Sequence, residues 1–331
     1  MRLLLASLAV CARALERAPS AVRVLTYNVH AWRDSDHADN FERLVETINA
    51  AQPDFVCLNE VLHAFDGADQ AADYWQTVQD GKGRGLVVQE CSEASSYLHR
   101  LARRCGFDHI HFSQATREDC YFGDISFGNV VLSKVASVDS GAIHMMAESD
   151  DLHLGDQQRD YVEDRSCCYA TFKLVDGVEV TLCAVHLDHK SEPLRKKQLE
   201  MVLDGLPDSA RSAEANVVVC GDLNTFRAED HSSEEWQKIV DVYAARGWGV
   251  PEDDSLALDY LESMGYLDAF ALTGPACVKK PTCWTHEPLF RIDHFMLSSN
   301  LADSVTAPVV YNVHDSTASD HFPVSIDLQL F

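Results

Sequence analysis

Short apolar segments recur along the 331-residue chain, and most have the length and β-branched composition of buried strands. Segments with helical spacing of apolar residues lie between them, at 41–50, 97–106 and 193–206. Some strands are joined by a short turn and others by a helix, so we expect both antiparallel and parallel neighbours. The pattern predicts an α/β fold, a four-layer sandwich of two packed mixed β-sheets with helices on the outer faces.

One domain is expected over residues 20–331, because no linker rich in Pro, Gly or Ser and no repeat interrupts the strand pattern. Residues 1–19 differ: they contain an early arginine, a short apolar run and Ala-Arg-Ala at 12–14. A secretory signal, an organelle transit peptide and a plain first helix all share these features, and the three interpretations stay open. The apolar run is too short to span a membrane, and no other candidate span occurs, so no transmembrane segment is expected.

The net charge of −25, from 52 acidic and 27 basic residues, argues against broad non-specific binding to nucleic acid. It does not exclude a phosphate ester bound at a metal site, because there the cation supplies the local positive charge. The 11 cysteines form no CxxC pair, which argues against a zinc or thioredoxin-type site. Several lie inside apolar strands, where a thiol behaves as a small hydrophobe, so we interpret the cysteines as mainly reduced and the chain as intracellular.

Polar side chains occur repeatedly where the predicted strands end, most clearly in ANVVVCGDLNTF (215–226). A buried strand stops there at a glycine, and strand alternation would project Asp222 and Asn224 to the same side while Leu223 packs away. A plain turn explains Gly, Asp and Asn equally well at this one place. The joint pattern is more specific, since Asn28, Glu60 and His186 also close predicted strands. Asp293 lies in RIDHFML, and Asp320 and His321 precede the final strand.

These residue types fit metal-assisted hydrolysis of a phosphoester. Mg²⁺ prefers oxygen ligands, usually one or two carboxylates with water and phosphate, and Glu60 is the best ligand candidate. A second carboxylate, Asp222, would orient and deprotonate the attacking water. Neutral donors such as Asn28 and Asn224 would hold phosphate oxygens without adding negative charge.

Histidine would supply a proton or a positive charge to the transition state. We expect Asp293 to pair with His321, because a carboxylate beside an imidazole fixes its tautomer and raises its pKa.

In their order along the chain, the motifs resemble the endonuclease/exonuclease/phosphatase superfamily of deoxyribonuclease-like, metal-dependent phosphodiesterases. They are TYNVHAW, LNEV, FGNVVLSK, AVHLDHKSEPLRKKQ, VVVCGDLN, GYLDAF, TCWTHEPLFRIDHFMLS and SDHFPV. The resemblance covers nearly the whole chain after about residue 20. It implies a catalytic domain that requires Mg²⁺, for which Mn²⁺ can substitute.

The resemblance also implies roles for particular residues. The catalytic set is His186, Asp222, Asp293 and His321. The substrate phosphate contacts are Asn28, Asn224 and Arg165, although Arg165 is equally well interpreted as a solvated loop charge. The metal ligands are Glu60, Asn28 and Asp320.

The chain departs from the family pattern in two places. Asn59 stands where the family usually has glutamine, which shortens a contact behind the metal ligand. The tyrosine found in the site of several nucleases has no clear counterpart, and Tyr121 and Tyr161 are only candidates.

Trp284 and Arg291 match the TxW…R pattern of the family, and we expect both side chains to pack in the core.

The resulting hypothesis is a Mg²⁺-dependent hydrolase of phosphoester bonds, acting as a phosphodiesterase, nuclease or phosphatase. Nucleic acid, phosphotyrosyl-DNA and phospholipid headgroups are the open substrates, the last implying a lipid phosphodiesterase of the sphingomyelinase type. A non-catalytic phosphate-binding module is the alternative, and a zinc hydrolase is disfavoured because no HExxH occurs. We expect a monomer. The basic cluster at 195–197 is interpreted as a solvated helix face rather than a contact to a polyanion.

Overall fold

The protein is described by a computed structural model over residues 21–36, 38–64, 96–115, 125–145, 165–174, 177–274, 280–306, 308–310 and 318–329. The predicted N-terminal segment 1–19 and the candidate tyrosines Tyr121 and Tyr161 lie outside the described residues.

The strands follow closely the apolar segments of the sequence. They are β1 (Ala21–Asn28), β2 (Phe55–Ala64), β3 (His109–Gln114), β4 (Ile125–Ser133), β5 (Asp139–Met145), β6 (Arg165–Lys173), β7 (Glu179–His186), β8 (Val217–Asp222), β9 (Tyr266–Asp268), β10 (Asp293–Ser298), β11 (Val309–Val310) and β12 (Val324–Gln329). The helices are α1 (Phe41–Ala51), α2 (Tyr97–Cys105), α3 (Glu192–Gly205), α4 (Asp208–Arg211), α5 (Ser233–Arg246), α6 (Leu256–Ser263) and α7 (Ala269–Leu272).

The strands form two six-stranded sheets, with the orders β11-β12-β1-β2-β4-β3 and β5-β6-β7-β8-β10-β9. In the first sheet β1 and β2 are parallel, and in the second β7 and β8 are parallel; the other paired neighbours are antiparallel. Each parallel pair is joined through a helix, α1 in one sheet and α3 in the other, because a parallel neighbour requires a crossover connection. Both sheets are therefore mixed, as predicted.

Three apolar cores separate four layers, which confirms the predicted sandwich. Leu25 and Tyr27 on β1 pack with α1 and α2 on one side of the first sheet. Their neighbour Val24 points the other way, into a core shared by both sheets. A third core lies between the second sheet and helices α3 and α6. The alternation of β1 thus supplies apolar residues to two layers at once.

Two points of the sequence analysis need correction. β5 was not predicted, because its residues are largely exposed or half-buried at the edge of the second sheet and lack an apolar run. Arg195 is buried rather than solvated, since it donates to the Glu192 carboxylate and to the carbonyl oxygen of Asp188.

Gly221 is the residue that lets β8 approach the rest of the site. Its φ is +134°, a conformation that favours glycine. A Cβ atom there would lie 2.1 Å from the carbonyl oxygen of Val185 and 2.8 Å from Oδ1 of Asn59. Both the backbone conformation and the close packing therefore require glycine.

We predict that Gly221→Ala lowers the free energy of unfolding by about 2–6 kcal/mol, since backbone strain and overpacking each cost about 1–3 kcal/mol. Gly247→Ala is the matched control: φ is +68°, but no atom lies within 4 Å of the added Cβ. Urea denaturation of the two variants measures the difference. Equal losses at the two positions would contradict the packing argument.

Candidate active site

A cavity of about 640 Å³ opens where β7 and β8 end and β6 begins, next to Glu60 in the middle of β2. Strand pairing brings its polar residues together. His186 lies opposite Asp222 in the parallel pair β7–β8, and Asp293 lies opposite Asp222 in the antiparallel pair β8–β10. In the other sheet, Asn28 lies opposite Asn59. The recurrence of polar strand ends in the sequence therefore corresponds to one place in the fold.

Asn28 bridges the two carboxylates of the site. Its Nδ2 donates to Oε1 of Glu60 at 3.0 Å and to Oδ2 of Asp222 at 3.1 Å. Its Oδ1 accepts the backbone N–H of His30 at 3.0 Å. The amide nitrogen of Asn28 thus holds both carboxylates, while its amide oxygen accepts from the backbone.

Glu60 reaches the cavity through a β-bulge. The register of β2 against β4 shifts between Leu58 and Val61, and Glu60 has a φ of +55°. Glu60 does not close its strand as expected, because β2 continues to Ala64. A bulge re-aims a side chain within a strand, and here it turns Glu60 toward Asn28. A backbone in this region is uncommon for a residue other than glycine and is typical of functional sites.

Glu60, His186 and Asp222 form a cluster whose ligand atoms all lie within 4.8 Å of one another. Burial raises the pKa of Asp222 to about 7, even though His321 opposes the shift. Burial and the nearby charge of Asp320 also raise the pKa of Glu60. Asp320 lines the same cavity, with its Oδ1 3.8 Å from Nδ1 of His30. A divalent cation between these carboxylates would supply the positive charge that favours their ionised form, and carboxylate oxygens are ligands that such a cation prefers.

His321 and Asp293 are joined by a hydrogen bond of 2.8 Å between Nδ1 and Oδ2. Burial alone lowers the pKa of His321, but the carboxylates of Asp293 and Asp222, with Cys283, more than offset it and raise the pKa well above its ordinary value. His321 Nε2 is 3.6 Å from Oδ2 of Asp222. The imidazole is therefore held in its charged form beside the proposed base.

His186 has the opposite character. Burial lowers its pKa well below the ordinary value, and the positive charges of Arg165 and His321 lower it further. Nη1 of Arg165 lies 3.1 and 3.2 Å from the two ring nitrogens of His186. Arg165 is only 4% exposed and begins β6, so it is not a solvated loop charge. The imidazoles of His186 and His321 therefore favour opposite charge states in the same cavity.

Asn224 reaches the cavity for a reason other than strand alternation. β8 ends at Asp222, and Asn224 follows with a φ of +51°. Its Nδ2 donates to the carbonyl oxygen of Leu187 at 3.0 Å, and its backbone N–H donates to Oδ1 of Asp222. Leu223 packs into the core as expected. A left-handed turn, not the pleat, therefore places both polar side chains on one cavity.

Asn59 connects the two sheets directly behind the site. Its Oδ1 accepts the backbone N–H of Asp222 at 3.0 Å, and its Nδ2 donates to the carbonyl oxygen of Val185 and to Oδ1 of Asn129. Asn129 in turn donates to the carbonyl oxygen of Ser166. The asparagine that departs from the family pattern therefore makes a full set of contacts behind the site.

Several cavity residues were not found by the sequence analysis, because they lie outside strand ends. Trp284, expected in the core, is half-buried and lines the cavity, whereas Arg291 is buried and paired with Asp268 and Asp230. The glycines flanking Trp248 in RGWG were an available signal for an exposed aromatic. The residues missed are His189, Phe226, Tyr243, Arg246, Trp248, Cys283, Phe290 and Ile292.

Comparison with known proteins identifies the family. The family model described as the Endonuclease/Exonuclease/phosphatase family matches residues 25–321. The chain belongs to this family. Members are in general hydrolytic phosphoesterases that typically depend on a divalent metal. A search of curated proteins gave no match.

Solved structures share the fold at low identity. An endonuclease/exonuclease/phosphatase from Beutenbergia cavernae DSM 12333 is 21% identical with a TM-score of 0.62, covering 94% of this chain and 72% of that one. A mannosyl-6-phosphatase from Bacteroides thetaiotaomicron VPI-5482 is 15% identical with a TM-score of 0.58, covering 94% and 100%. Truncated TDP2 from Caenorhabditis elegans is 16% identical with a TM-score of 0.53, covering 93% and 97%.

None of the helices in the described ranges is long and apolar enough to cross a membrane.

We predict that Asp293→Asn lowers the pKa of His321 in the metal-free protein, because the neutral amide no longer stabilises the imidazolium. With Asp293 present, His321 should stay protonated through neutral pH. Titration of the imidazole nitrogens by NMR measures this change. His111, whose pKa burial and His109 lower, is the internal control and should not respond. An unchanged pKa of His321 would contradict the pairing.

Proposed function

We propose that the protein is a Mg²⁺-dependent hydrolase of phosphoester bonds. The observation that carries this proposal is the convergence of Glu60 and Asp222, bridged by Asn28, on the same cavity as a charged imidazole held by Asp293. All side chains that the resemblance assigns to catalysis are present and line the cavity or support it, which disfavours a non-catalytic binding module.

The donor set fits a hard cation. Glu60 is placed to hold the metal with Asp320 as a second oxygen ligand, since both carboxylates line the cavity and the charge of Asp320 raises the pKa of Glu60. When bound, Mg²⁺ would neutralise negative charge on a phosphoryl oxygen, and Mn²⁺, which prefers similar ligands, can substitute.

Asp222 supplies the base for the chemical step. Its carboxylate accepts a proton from water while the water oxygen bonds to phosphorus and the ester P–O bond breaks. The leaving oxygen takes up a proton from solvent to give the alcohol, and Asp222 returns its proton to solvent. A pKa of about 7 matches this task, because a base titrating near the working pH transfers protons most effectively.

The remaining polar side chains bind charge. Charged His321 faces Asp222 and would stabilise negative charge developing on the phosphoryl oxygens. Arg165 holds neutral His186 at the same cavity, where both would contact the substrate phosphate or the leaving group. Asn224 is fixed by Leu187 and presents a neutral side chain to the phosphate.

The class of phosphoester is set by the organic group that carries the phosphate. Structural relatives include a mannosyl-6-phosphatase and TDP2, so the fold accommodates more than one substrate type. We propose a soluble phosphoester or a short nucleic acid rather than a long duplex, because the net charge is −25. Purified protein with Mg²⁺, assayed on phosphosugars, oligonucleotides, phosphotyrosyl-DNA and sphingomyelin, tests these classes, and turnover of sphingomyelin alone would favour the lipid phosphodiesterase.

Glu60→Gln should raise the Mg²⁺ concentration needed for half-maximal rate by about tenfold or more, because losing even an indirect contact to a metal costs about 10–100-fold in affinity. Calorimetric titration with Mn²⁺ gives a second readout without turnover. Glu46→Gln, an exposed glutamate on α1, is the matched control. Full activity of the native protein in excess chelator would contradict the metal requirement.

Asp222→Asn should leave the fold intact and reduce turnover by about 10²–10⁴-fold, the usual contribution of a positioned base. Steady-state rates across pH 5–9 measure the loss. Asp241→Asn, an exposed aspartate on α5, should leave the rate unchanged. An Asp222→Asn variant with the native rate and pH profile would remove Asp222 from this role.

A further inference from the structure

One wall of the cavity is built from residues that the hydrolytic step does not use. Cζ of Arg246, the last residue of α5, lies 4.7 Å from the ring centroid of Trp248 and 4.4 Å from that of Trp284. Both distances are within the range of a cation–π interaction. The two indoles are themselves supported, Trp248 by the edge contact of Tyr243 and Trp284 by that of Phe290. The guanidinium is therefore held in place by aromatic rings.

Arg246 differs from the other arginines near the site in having no acceptor. Arg165 donates to His186, and Arg291 is paired with Asp268 and Asp230. Across the described part of the chain, Arg246 makes no hydrogen bond or ion pair, and its side chain is exposed. The sequence has 52 acidic residues against 27 basic ones, so acidic partners are not scarce. A positioned guanidinium with unused N–H donors is suited to a planar or tetrahedral anion, and phosphate is the anion that arginine matches with two parallel hydrogen bonds.

Arg246 also stands between two cavities. Together with Phe226, Tyr243 and Trp248, it lines both the active-site cavity of about 640 Å³ and a second cavity of about 590 Å³. The second cavity continues past Lys190 and Pro251. A molecule with one phosphate at Asp222 and His321 would therefore extend along Trp284 and Trp248 and meet Arg246 before leaving the first cavity.

We propose that Arg246 binds a second phosphate group of the substrate, an inference that rests on the proposed function. The substrate class is then a phosphoester that carries at least two phosphates, with its organic part against Trp248 and Trp284. A short oligonucleotide and a small bisphosphate share this chemistry. Arg246 determines specificity and takes no part in breaking the ester bond.

Matched ligand pairs test this proposal by binding, independently of turnover. The probes are adenosine 5′-monophosphate and adenosine 3′,5′-bisphosphate, inositol 1-phosphate and inositol 1,4-bisphosphate, and thymidine dinucleotides with one or two phosphates. Intrinsic tryptophan fluorescence reports binding next to Trp248 and Trp284. The native protein should prefer the two-phosphate member of at least one pair by about two- to fivefold at low salt, the range for an exposed charge pair. The preferred pair distinguishes an oligonucleotide from a small bisphosphate.

Arg246→Gln should abolish this preference, whereas Lys238→Gln, which removes one charge from the exposed face of the same helix, should retain it. The preference of the native protein should also shrink as salt is raised, because exposed charges are screened. Absence of a preference in every pair, or a preference that survives Arg246→Gln, would overturn the proposal. Hydrolysis of bis(4-nitrophenyl) phosphate, which has one phosphate, should be the same in Lys238→Gln and native protein. Its absence in the native protein would count against the proposed function instead.

Discussion

The hydrogen bonds of Asn59 join the two sheets at the point where the site is built. Its Oδ1 accepts from the backbone of Asp222, and its Nδ2 donates to the carbonyl oxygen of Val185. Gly221 permits this contact, because any Cβ there would meet Asn59 and Val185. The next residue, Glu60, lies on the bulge that turns toward Asn28. One buried amide therefore fixes the carboxylate of one sheet relative to that of the other.

The negative charges of Asp222 and Glu60 next to this contact require a cation to balance them. Burial opposes ionisation of Asp222 and Glu60, as their raised pKa values indicate. The positive charge of His321 is already paired with the carboxylate of Asp293. Ionising both carboxylates at this distance requires further positive charge. Metal binding and proton release should therefore be coupled at the site, so that the affinity for metal rises with pH as the carboxylates lose their protons.

Much of the fold and the principal polar residues of the site could be predicted from sequence, because apolar strand runs are strong local signals and several carry a polar residue where they meet the site. Features that depend on tertiary contacts could not. Asn224 is placed by a left-handed turn, Arg165 is buried by packing against His186, and β5 is an edge strand without an apolar run. The aromatic wall around Arg246 follows from a helix and loop that meet only in the folded chain.

Isotope transfer from water tests the central claim most directly, namely that water activated by Asp222 attacks phosphorus. The native protein would hydrolyse 4-nitrophenyl phosphate or its bis ester with Mg²⁺ in H₂¹⁸O, and mass spectrometry would locate the label. The account predicts one ¹⁸O per turnover in the phosphate product, none in 4-nitrophenol, and a loss of this reaction in Asp222→Asn. Label in 4-nitrophenol, or native labelling rates in Asp222→Asn, would contradict it.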